Sequence, residues 1–570
     1  MSNTIFTEVQ QRTLPRNKFD MSFDNKLSTD FGLLTPCLCQ ELMPGDEVVH
    51  EHEVYVQFAP LNALMMHRFY VKTEYFFVPN RLVYDQFNEF LVGGEYGTDT
   101  LTPPCMTMKQ LNTNGQFAPR TLSDYLGLPS SGTFGSFGDA RLINSMPYRA
   151  YQLIYNDWYR DENLISKLNI PIIGGLEDDN DMPMLTTLRR RAWRKDYFTS
   201  QLPWPQKGPQ VQIPLGDVAY VYAYMNDRQF AWQNEEIVTS ITPSRIAPDG
   251  NDMLASDSQQ EVRVTGSGTN ATFNRLVMDT LIPSSTGGSK GTEFNFWSGA
   301  YEPGQSSDGY FQLVADLRSA TATSIEELRR AYAVQSWLEL NAIGGTRDVE
   351  QIYSHFGVKV PDYRLGRPEY IAGYSNQINI GNVYSTESNG ANTNNVQAYP
   401  VSVVNGTSTS ESFKYYAHEH GYLIGIVSVV PKAAYFQGLP RILGRRMDKF
   451  DYYWPEFAQL GEQPVYAEEL YLNSNDEVVM GYTPRYAEFK FADDQVHGDY
   501  RIQLNYQHDA PIYNSEPALN QDFIEVNPAK QNLNRIFNTD VPGQHHIYVD
   551  IYHNISKVSS MVYFGNPKIY

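Results

Sequence analysis

Residues 52–92 carry the clearest hydrophobic pattern of the chain. Val54, Val56 and Phe58 alternate with polar or smaller residues, the period of two expected of a half-buried strand. After Ala59-Pro60-Leu61-Asn62 the alternation resumes over residues 69–78. Phe69, Val71, Thr73, Tyr75 and Phe77 share one face, and Tyr70, Lys72, Glu74, Phe76 and Val78 share the other. Pro79 lacks a ladder donor and predicts the end of that strand. Pro44-Gly45-Asp46 predicts a turn leading into a strand. Residues 423–430 are apolar on both faces, which predicts a central, buried strand. Residues 486–491 and 547–552 read as further strands.

Helical spacing is confined to two places. Tyr151, Ile154, Tyr155 and Trp158 fall at i, i+3, i+4 and i+7, with Pro147 close to the first turn. Ser324-Ile325-Glu326-Glu327 has the form of a capping box, and Ile325, Leu328, Ala331 and Tyr332 begin an apolar stripe. That helix is expected to reach about residue 341 and to stop at Gly344-Gly345. The remaining long stretches lack periodicity. Residues 93–146 read as loop with short turns, and residues 228–322, rich in Gly, Ser, Thr and Asn, read as an insertion with strand-like pieces such as 261–264. Residues 374–412 form a second variable loop. Residues 1–30 are a polar N-terminal arm with anchors at Phe6, Phe19 and Phe23, either disordered or laid across a neighbour.

Composition narrows the class. The 570 residues include 44 Lys and Arg against 65 Asp and Glu, a net charge of −21, so nucleic acid would have to be met by a local basic patch or through a basic partner. Aromatic residues make up 13% of the chain while charged ones make up only 19%, a balance suited to a β-rich protein with Tyr-rich contact surfaces. Residues 1–20 lack the apolar core of a signal peptide, and no apolar run is long enough for a membrane span. Cys37, Cys39 and Cys105 cannot build a disulfide framework, and Cys37-x-Cys39 lacks the second pair of a zinc site, so reduced structural thiols are expected.

The chemistry of a catalytic site is not evident. The chain has no H-E-x-x-H, and Gly344-Gly345-Thr346 lacks the Lys-Ser/Thr of a phosphate loop. His418-x-His420 places two imidazoles on one face of an expected strand, but spacing supplies no third metal ligand, and structural histidines are the preferred reading. Asp161-Glu162 and Glu468-Glu469 read as solvated carboxylates. No catalytic residue, metal or cofactor is therefore assigned. Two basic groups do stand out. Arg189, Arg190, Arg191, Arg194 and Lys195 are followed at once by Tyr197, Phe198 and Trp204, and a second group comprises Arg441, Arg445, Arg446 and Lys449. Cations interleaved with aromatics hold single strands through phosphate contact and base stacking. The competing reading is an interface cluster that pairs with carboxylates of a neighbouring subunit.

Several strings carry a resemblance. MMHR followed by YFFVPNRL, Leu34, Pro36, Glu41, Pro44, Gly45 and Asp46 in the pattern LxPxxxxExxPGD, PYRAYQLIYNDWYRDENL, DYFTSQLPWPQKGP, the run from Ser324 to Gly373, EHGYLIGIVSV and FIEVNP are spread along the chain. Together they resemble the major capsid proteins of the Microviridae, the gokushovirus-like single-stranded DNA phages in particular. The C-terminal MVYFGNPKIY departs from the family's usual ending and keeps only Gly565 and Pro567. The resemblance implies a mainly β fold: an eight-stranded antiparallel jelly roll with long loop insertions and a few helices, one capsid domain over residues 1–570. It also implies self-assembly through pentamers into a T=1 icosahedral shell around circular single-stranded DNA, in a virion assembled in the host bacterial cytoplasm. Residues 228–318 would form a surface protrusion, with contact to a host cell-surface receptor as one role and a spacer as the other. Partners implied are other copies of the chain, a small basic DNA-binding phage protein, the genome and other phage structural proteins, with no membrane insertion. A carbohydrate-active β-barrel enzyme is the alternative that fits the aromatic and acidic composition.

Overall fold

The computed structural model describes residues 15–63, 65–94, 96–130, 141–209, 211, 220–225, 311–316, 325–378, 380–381, 403–404, 411–472, 478–538 and 543–564. It divides into two compact units, residues 1–210 with 336–570, and residues 211–335. In the second unit, strands Tyr220–Met225 and Phe311–Asp316 pair antiparallel. Apart from that second strand, the expected protrusion at 228–318 lies outside the described residues, as do the strand-like piece at 261–264 and Ser324.

The first unit is built on two antiparallel sheets made from eight principal strands. These are β1 (Phe23–Thr29), β2 (Thr35–Leu42), β3 (Glu47–Phe58), β4 (Phe69–Pro79), β5 (Glu369–Ile378), β6 (Glu411–Tyr416), β7 (Gly421–Pro431) and β8 (Ile547–Ser559). The larger sheet runs β1-β8-β3-β6, and the smaller runs β5-β4-β7-β2. Sheet order thus interleaves strands from the two ends of the chain, an arrangement consistent with a jelly roll. Among the described residues no ladder joins the two sheets, so they form a sandwich rather than a closed barrel.

The alternation legible in residues 52–58 is realised in β3, whose residues are buried and exposed in turn. Strand β8 has the same half-buried pattern. Their inward faces present Val54, Val56, Phe58, Ile547, Val549 and Ile551 to Phe69, Val71, Val427 and Val429 of the smaller sheet. Each such side chain, fully buried, contributes about 1.5–3 kcal/mol. Strand β7 is buried along its whole length, as apolar residues on both of its faces predict. One of its faces packs on the larger sheet, and the other packs under helix α1 (Met146–Ile154) and the short elements around it. Strand β4 shows where that cover begins. It alternates as far as Glu74 and is buried at every position from Tyr75 to Pro79, where Phe76 and Val78 meet the helical layer.

Helix α1 bears out the 3.6-residue spacing, with Pro147 in its first turn, and continues as one π-helical turn over Tyr155–Tyr159. Tyr151, Ile154 and Tyr155 are buried, while Trp158, within the π turn, is half-buried with the Arg367 guanidinium 3.8 Å above its ring. Helix α2 (Ile325–Gly344) runs slightly past the expected end and stops where Gly345 adopts φ +89°. Helix α3 (Asp348–Phe356) follows it. The Gly-Gly-Thr-Arg string between them is a junction: Arg347 donates to the carbonyls of Asn156 and Arg160, closing the end of the π turn.

Five expectations of local structure differ. Within the expected second variable loop at 374–412, residues 374–378 belong to β5 and 411–412 to β6, Ile380–Gly381 and Val403–Val404 are short strands, and the other residues lie outside the described ones. Residues 17–29 are strands rather than an arm: Asn17–Asp20 and β1 both pair with β8. Their partner lies more than 500 residues away, so local pattern could not reveal it. Residues 93–146 contain short elements, including a strand pair Cys105–Thr107 with Leu142–Asn144 and a helix Met108–Thr113 closed by a Thr107–Gln110 capping box. These are too short to show a period. Residues 486–491 turn instead of extending, because Tyr486 sits at φ +62° and a 3-10 turn follows at Ala487–Phe489. His418 and His420 lie in the loop before β7, packed on Tyr416 and Phe87, and no metal-holding cluster occurs among the described residues. The cysteines are unpaired thiols.

Candidate functional site

The first basic group is the centre of a three-stranded crossing. Backbone N–H groups of Leu34 and Val526 donate to the carbonyls of Arg189 and Arg191 at 2.9 Å each, and the Arg191 N–H donates to Gly32. Gly32 is required at this crossing: it sits at φ +76°, and a Cβ there would lie 2.3 Å from the Val526 carbonyl oxygen. Segment 189–193 therefore ties the start of the chain to the FIEVNP string near its end.

The side chains of this group are largely committed within the fold. Arg189 donates to Gln152 Oε1 at 2.7 Å and to the Met184 carbonyl, and covers the Tyr155 ring. Arg190 donates to the carbonyls of Phe31 and Val526. Arg191 makes a two-pronged pair with Glu74 at 2.7 and 3.0 Å. Burial raises the Glu74 carboxyl, but Arg191 and the Tyr159 hydroxyl outweigh it and hold the group below its ordinary value. Lys195 is exposed and pairs with Asp161 at 2.6 Å. Arg194 is exposed and forms no ion pair with a described residue. Lys72 lies on the outer face of β4 beside this group, cross-strand from the same Ser428 whose hydroxyl faces Arg191. Burial, followed by the charge of Arg191, pushes its ammonium down to about 8, with Arg194 adding to the effect.

The aromatic residues that follow fare differently. Tyr197 and Phe198 are buried in a core cluster with Val465, Leu470 and Phe523, and rings so placed present no free face to a base. The sequence expectation that they stack bases is corrected by this burial. Trp204 is half-buried with Lys207 Nζ 5.5 Å from its ring centre.

The second basic group packs beneath its own segment. Arg441 pairs with Glu469 at 3.0 Å, Arg445 with Glu468 at 2.7 Å while covering the Tyr466 ring at 3.8 Å, and Arg446 with Glu488 at 3.0 Å. Lys449 is exposed, 4.9 Å from the Phe450 ring centre. The aromatic segment that follows the first group meets the second at Glu469, whose second oxygen accepts from the Tyr197 hydroxyl at 2.9 Å. Burial raises the Glu469 carboxyl, opposed by Arg441. Six of the nine candidate cations thus pair or bond with partners inside the same chain, Lys195 pairs at the surface, and Arg194 and Lys449 point outward. Glu468 and Glu469, read as solvated, are in fact the counter-charges of this group.

Sequence reasoning missed two buried polar sites. Arg149 and Glu177 pair at 2.7 Å with side chains almost wholly enclosed. His50 and His553, on neighbouring strands of the larger sheet, share a buried hydrogen bond of 3.0 Å next to His52. Arg149 stood in a string read for its apolar stripe and its resemblance, neither of which reveals a buried partner, and the histidines lie 503 residues apart. None of these groups forms a cleft with a nucleophile and base; they hold the wall together.

Comparison with known proteins agrees with that reading. Residues 7–569 match the family described as "Capsid protein (F protein)". The chain is 31% identical over 578 residues to "Capsid protein VP1" of Bdellovibrio phage phiMH2K, covering 99% of this chain and 97% of that protein. It is 31% identical over 613 residues to the protein of the same name in Chlamydia phage 1, with the same coverage, and 26% identical over 538 residues to that of Spiroplasma virus 4, covering 91% and 89%. The resemblance to Microviridae major capsid proteins is borne out, and the alternative of a carbohydrate-active enzyme falls, since the family is structural. With its two-sheet wall, its internally neutralised arginines and a match along nearly its whole length, this chain belongs to the phage capsid protein (F protein) family.

Proposed function

We propose that this major capsid protein closes, through pentamers, into a small icosahedral shell around a circular single-stranded DNA genome. The observation that carries the reading is the family match over residues 7–569. A unit whose sheets are locked by buried contacts is suited to repetition, because an identical copy can present identical edges many times and heterologous edges close into rings. The chain expressed alone or with single-stranded DNA and a small basic protein is expected to sediment as uniform closed particles or pentamer-sized rings. Negative-stain images check the outcome. A persistent monomer with all three components present contradicts the reading.

At −21 per copy, shell and genome repel each other on net charge, so a small basic protein is the partner that offsets the phosphates. Direct contact is proposed at Arg194 with Lys72, and not at the arginines committed to Glu74, Glu468, Glu469 and Glu488. Particles carrying Arg194→Gln and Lys72→Gln are expected to release DNA at lower salt than wild type. The slope of log affinity against log salt should fall by about 0.7 for each phosphate that is no longer neutralised. An unchanged release profile rules that contact out. Residues 228–318 are proposed as a protrusion for host attachment, since recognition concentrates in long surface loops carried by a rigid scaffold. Deleting residues 250–310 should leave particles intact while reducing adsorption.

A further inference from the structure

Helix Arg441–Gly444 and the two 3-10 turns that follow, Lys449–Asp451 and Pro455–Phe457, form a platform that is apolar on its outer side. Met447 is 83% and Ile442 72% exposed, and Leu443, Phe450, Tyr453 and Trp454 are exposed beside them. Its aromatic residues lie close together. The Phe450 and Phe457 rings lie 5.8 Å apart, Tyr453 lies 4.9 Å from Tyr486 and 6.4 Å from the exposed Phe489, and the Arg446 guanidinium lies 4.8 Å from Phe489. It is also held in shape: the Trp454 indole N–H donates to the Lys449 carbonyl at 2.7 Å, and the Met447 N–H to Asp451 at 2.9 Å. Monomeric proteins rarely display an apolar surface of this extent.

We infer that this platform is an interface between neighbouring copies of the chain in the shell, an inference that rests on the shell reading above. Three observations favour a second copy. The arginines below the platform are neutralised from within by Glu469, Glu468 and Glu488, so covering the apolar patch strands none of them, while Asp448, Lys449 and Glu456 of the same segment are exposed and have to stay at the solvated edge of such a contact. The same neutralisation disfavours a single-stranded nucleic acid, which needs a positive groove beside its stacking rings. In extent the exposed apolar side chains amount to on the order of 1,000 Å², against about 800 Å² per partner in a standard interface. Their make-up, aromatic and Met residues with Arg and few Lys, is that of an interface centre. Copies of a strongly acidic chain repel one another, and apolar contact with internally balanced charge is what overcomes that repulsion.

The test uses the full chain with Ile442→Glu and Met447→Glu together, and separately Met447→Cys. Both positions are exposed, so thermal unfolding of the unassembled double variant should match wild type. Assembled material on a gradient should fall about tenfold or more, since each buried unpaired charge is worth at least one decade in association. A maleimide should label Met447→Cys far more slowly in shells than in the unassembled chain, with wild type as the blank for the native thiols. Wild-type and double-variant shells in equal yield, or equal labelling in both states, overturn the inference while leaving the shell reading intact. Shells that form normally but lose DNA, or lose a small phage protein, assign the platform to that occupant and overturn it too. A wild-type chain that never assembles ends the shell reading and this inference together.

Discussion

Arg149→Met is expected to lower the stability of the unassembled chain by about 3–5 kcal/mol. Arg149 lies in helix α1 (Met146–Ile154) and donates to Glu177 Oε1 at 2.7 Å, to the Val83 carbonyl at 2.9 Å and to the Ile173 carbonyl at 3.0 Å. Three separate segments thereby converge on one guanidinium, and the Glu177 N–H further donates to the Cys105 carbonyl. Removing Arg149 leaves the Glu177 carboxylate enclosed with only the Ser145 hydroxyl, and orphans two carbonyls. The cost is that of a buried uncompensated charge, not the small worth of a surface ion pair. Urea unfolding followed by tryptophan fluorescence reads the effect. The double variant Arg149→Met with Glu177→Gln should recover most of the loss, because a neutral amide needs no counter-charge. A single variant with the wild-type midpoint would refute the assignment.

The second large effect is a loss of stability in mild acid. His50 in β3 and His553 in β8 are buried between the sheets, hydrogen-bonded to each other at 3.0 Å. His52 stacks beside them with its Nε2 3.0 Å from the Thr73 hydroxyl, and the rings of Tyr75 and Phe413 complete the enclosure. Burial, then the neighbouring histidines, lowers His50 from 6.5 to about 3 and His553 to about 4. Their hydrogen bond also needs one bare nitrogen, so two charged rings would face each other N–H to N–H. Below pH 6.5 the unfolded chain takes up protons that the folded chain refuses. Stability is therefore complete above that pH and declines as the pH falls toward the folded values. Each histidine costs about 1.4 kcal/mol per pH unit, or on the order of 5 kcal/mol for the pair by pH 4.5. Asp493, which burial and then Asp196 and Asp494 raise to about 7, works in the opposite direction over the same range. The informative quantity is consequently the difference between wild type and His50→Gln/His553→Gln, measured by chemical unfolding from about pH 7.5 to 4.5. Wild type should lose stability relative to the variant steadily as the pH falls below 6.5. Parallel curves would show that the pair does not titrate in the fold.

These two sites share a design. In each, polar groups that a shell wall could have done without are enclosed between layers, where their partners fix one arrangement of distant segments. A buried pair adds little to stability relative to an apolar replacement, but its loss is costly, so it selects one docking of the layers. Arg191 with Glu74 and Arg441 with Glu469 follow the same logic nearer the surface. Neutralising its own arginines in this way leaves an acidic, apolar-patched unit suited to meeting further copies of itself.

Several elements were legible because one local rule sufficed. The period of two in residues 54–58 and 69–77 marked β3 and β4, and apolar residues on both faces of 423–430 marked β7, since each half-covered or fully covered face writes its exposure directly into residue type. Spacing of three and four marked helix α1, and the ordered strings marked the family. The basic groups were visible as charge, but their partners were not: Glu74 lies 117 residues from Arg191, and Glu469 lies 272 from Tyr197. Nothing in a run of cations distinguishes one that will meet phosphate from one that will meet a carboxylate, because that depends on what the folded chain brings opposite.

The sequence by itself therefore determined the half-buried strands, the central strand, the long helices, the acidic balance and the family, all properties that a residue shares with neighbours a few positions away. The tertiary structure alone decided that residues 17–29 join β8, that His52 registers with His553 across two strands, and that Arg149 closes on Glu177. It also decided that Tyr197 and Phe198 are core, and that the outer side of residues 441–457 is left uncovered. Burial and pairing depend on contacts between segments separated by tens to hundreds of residues, and such contacts exist only once the layers have packed.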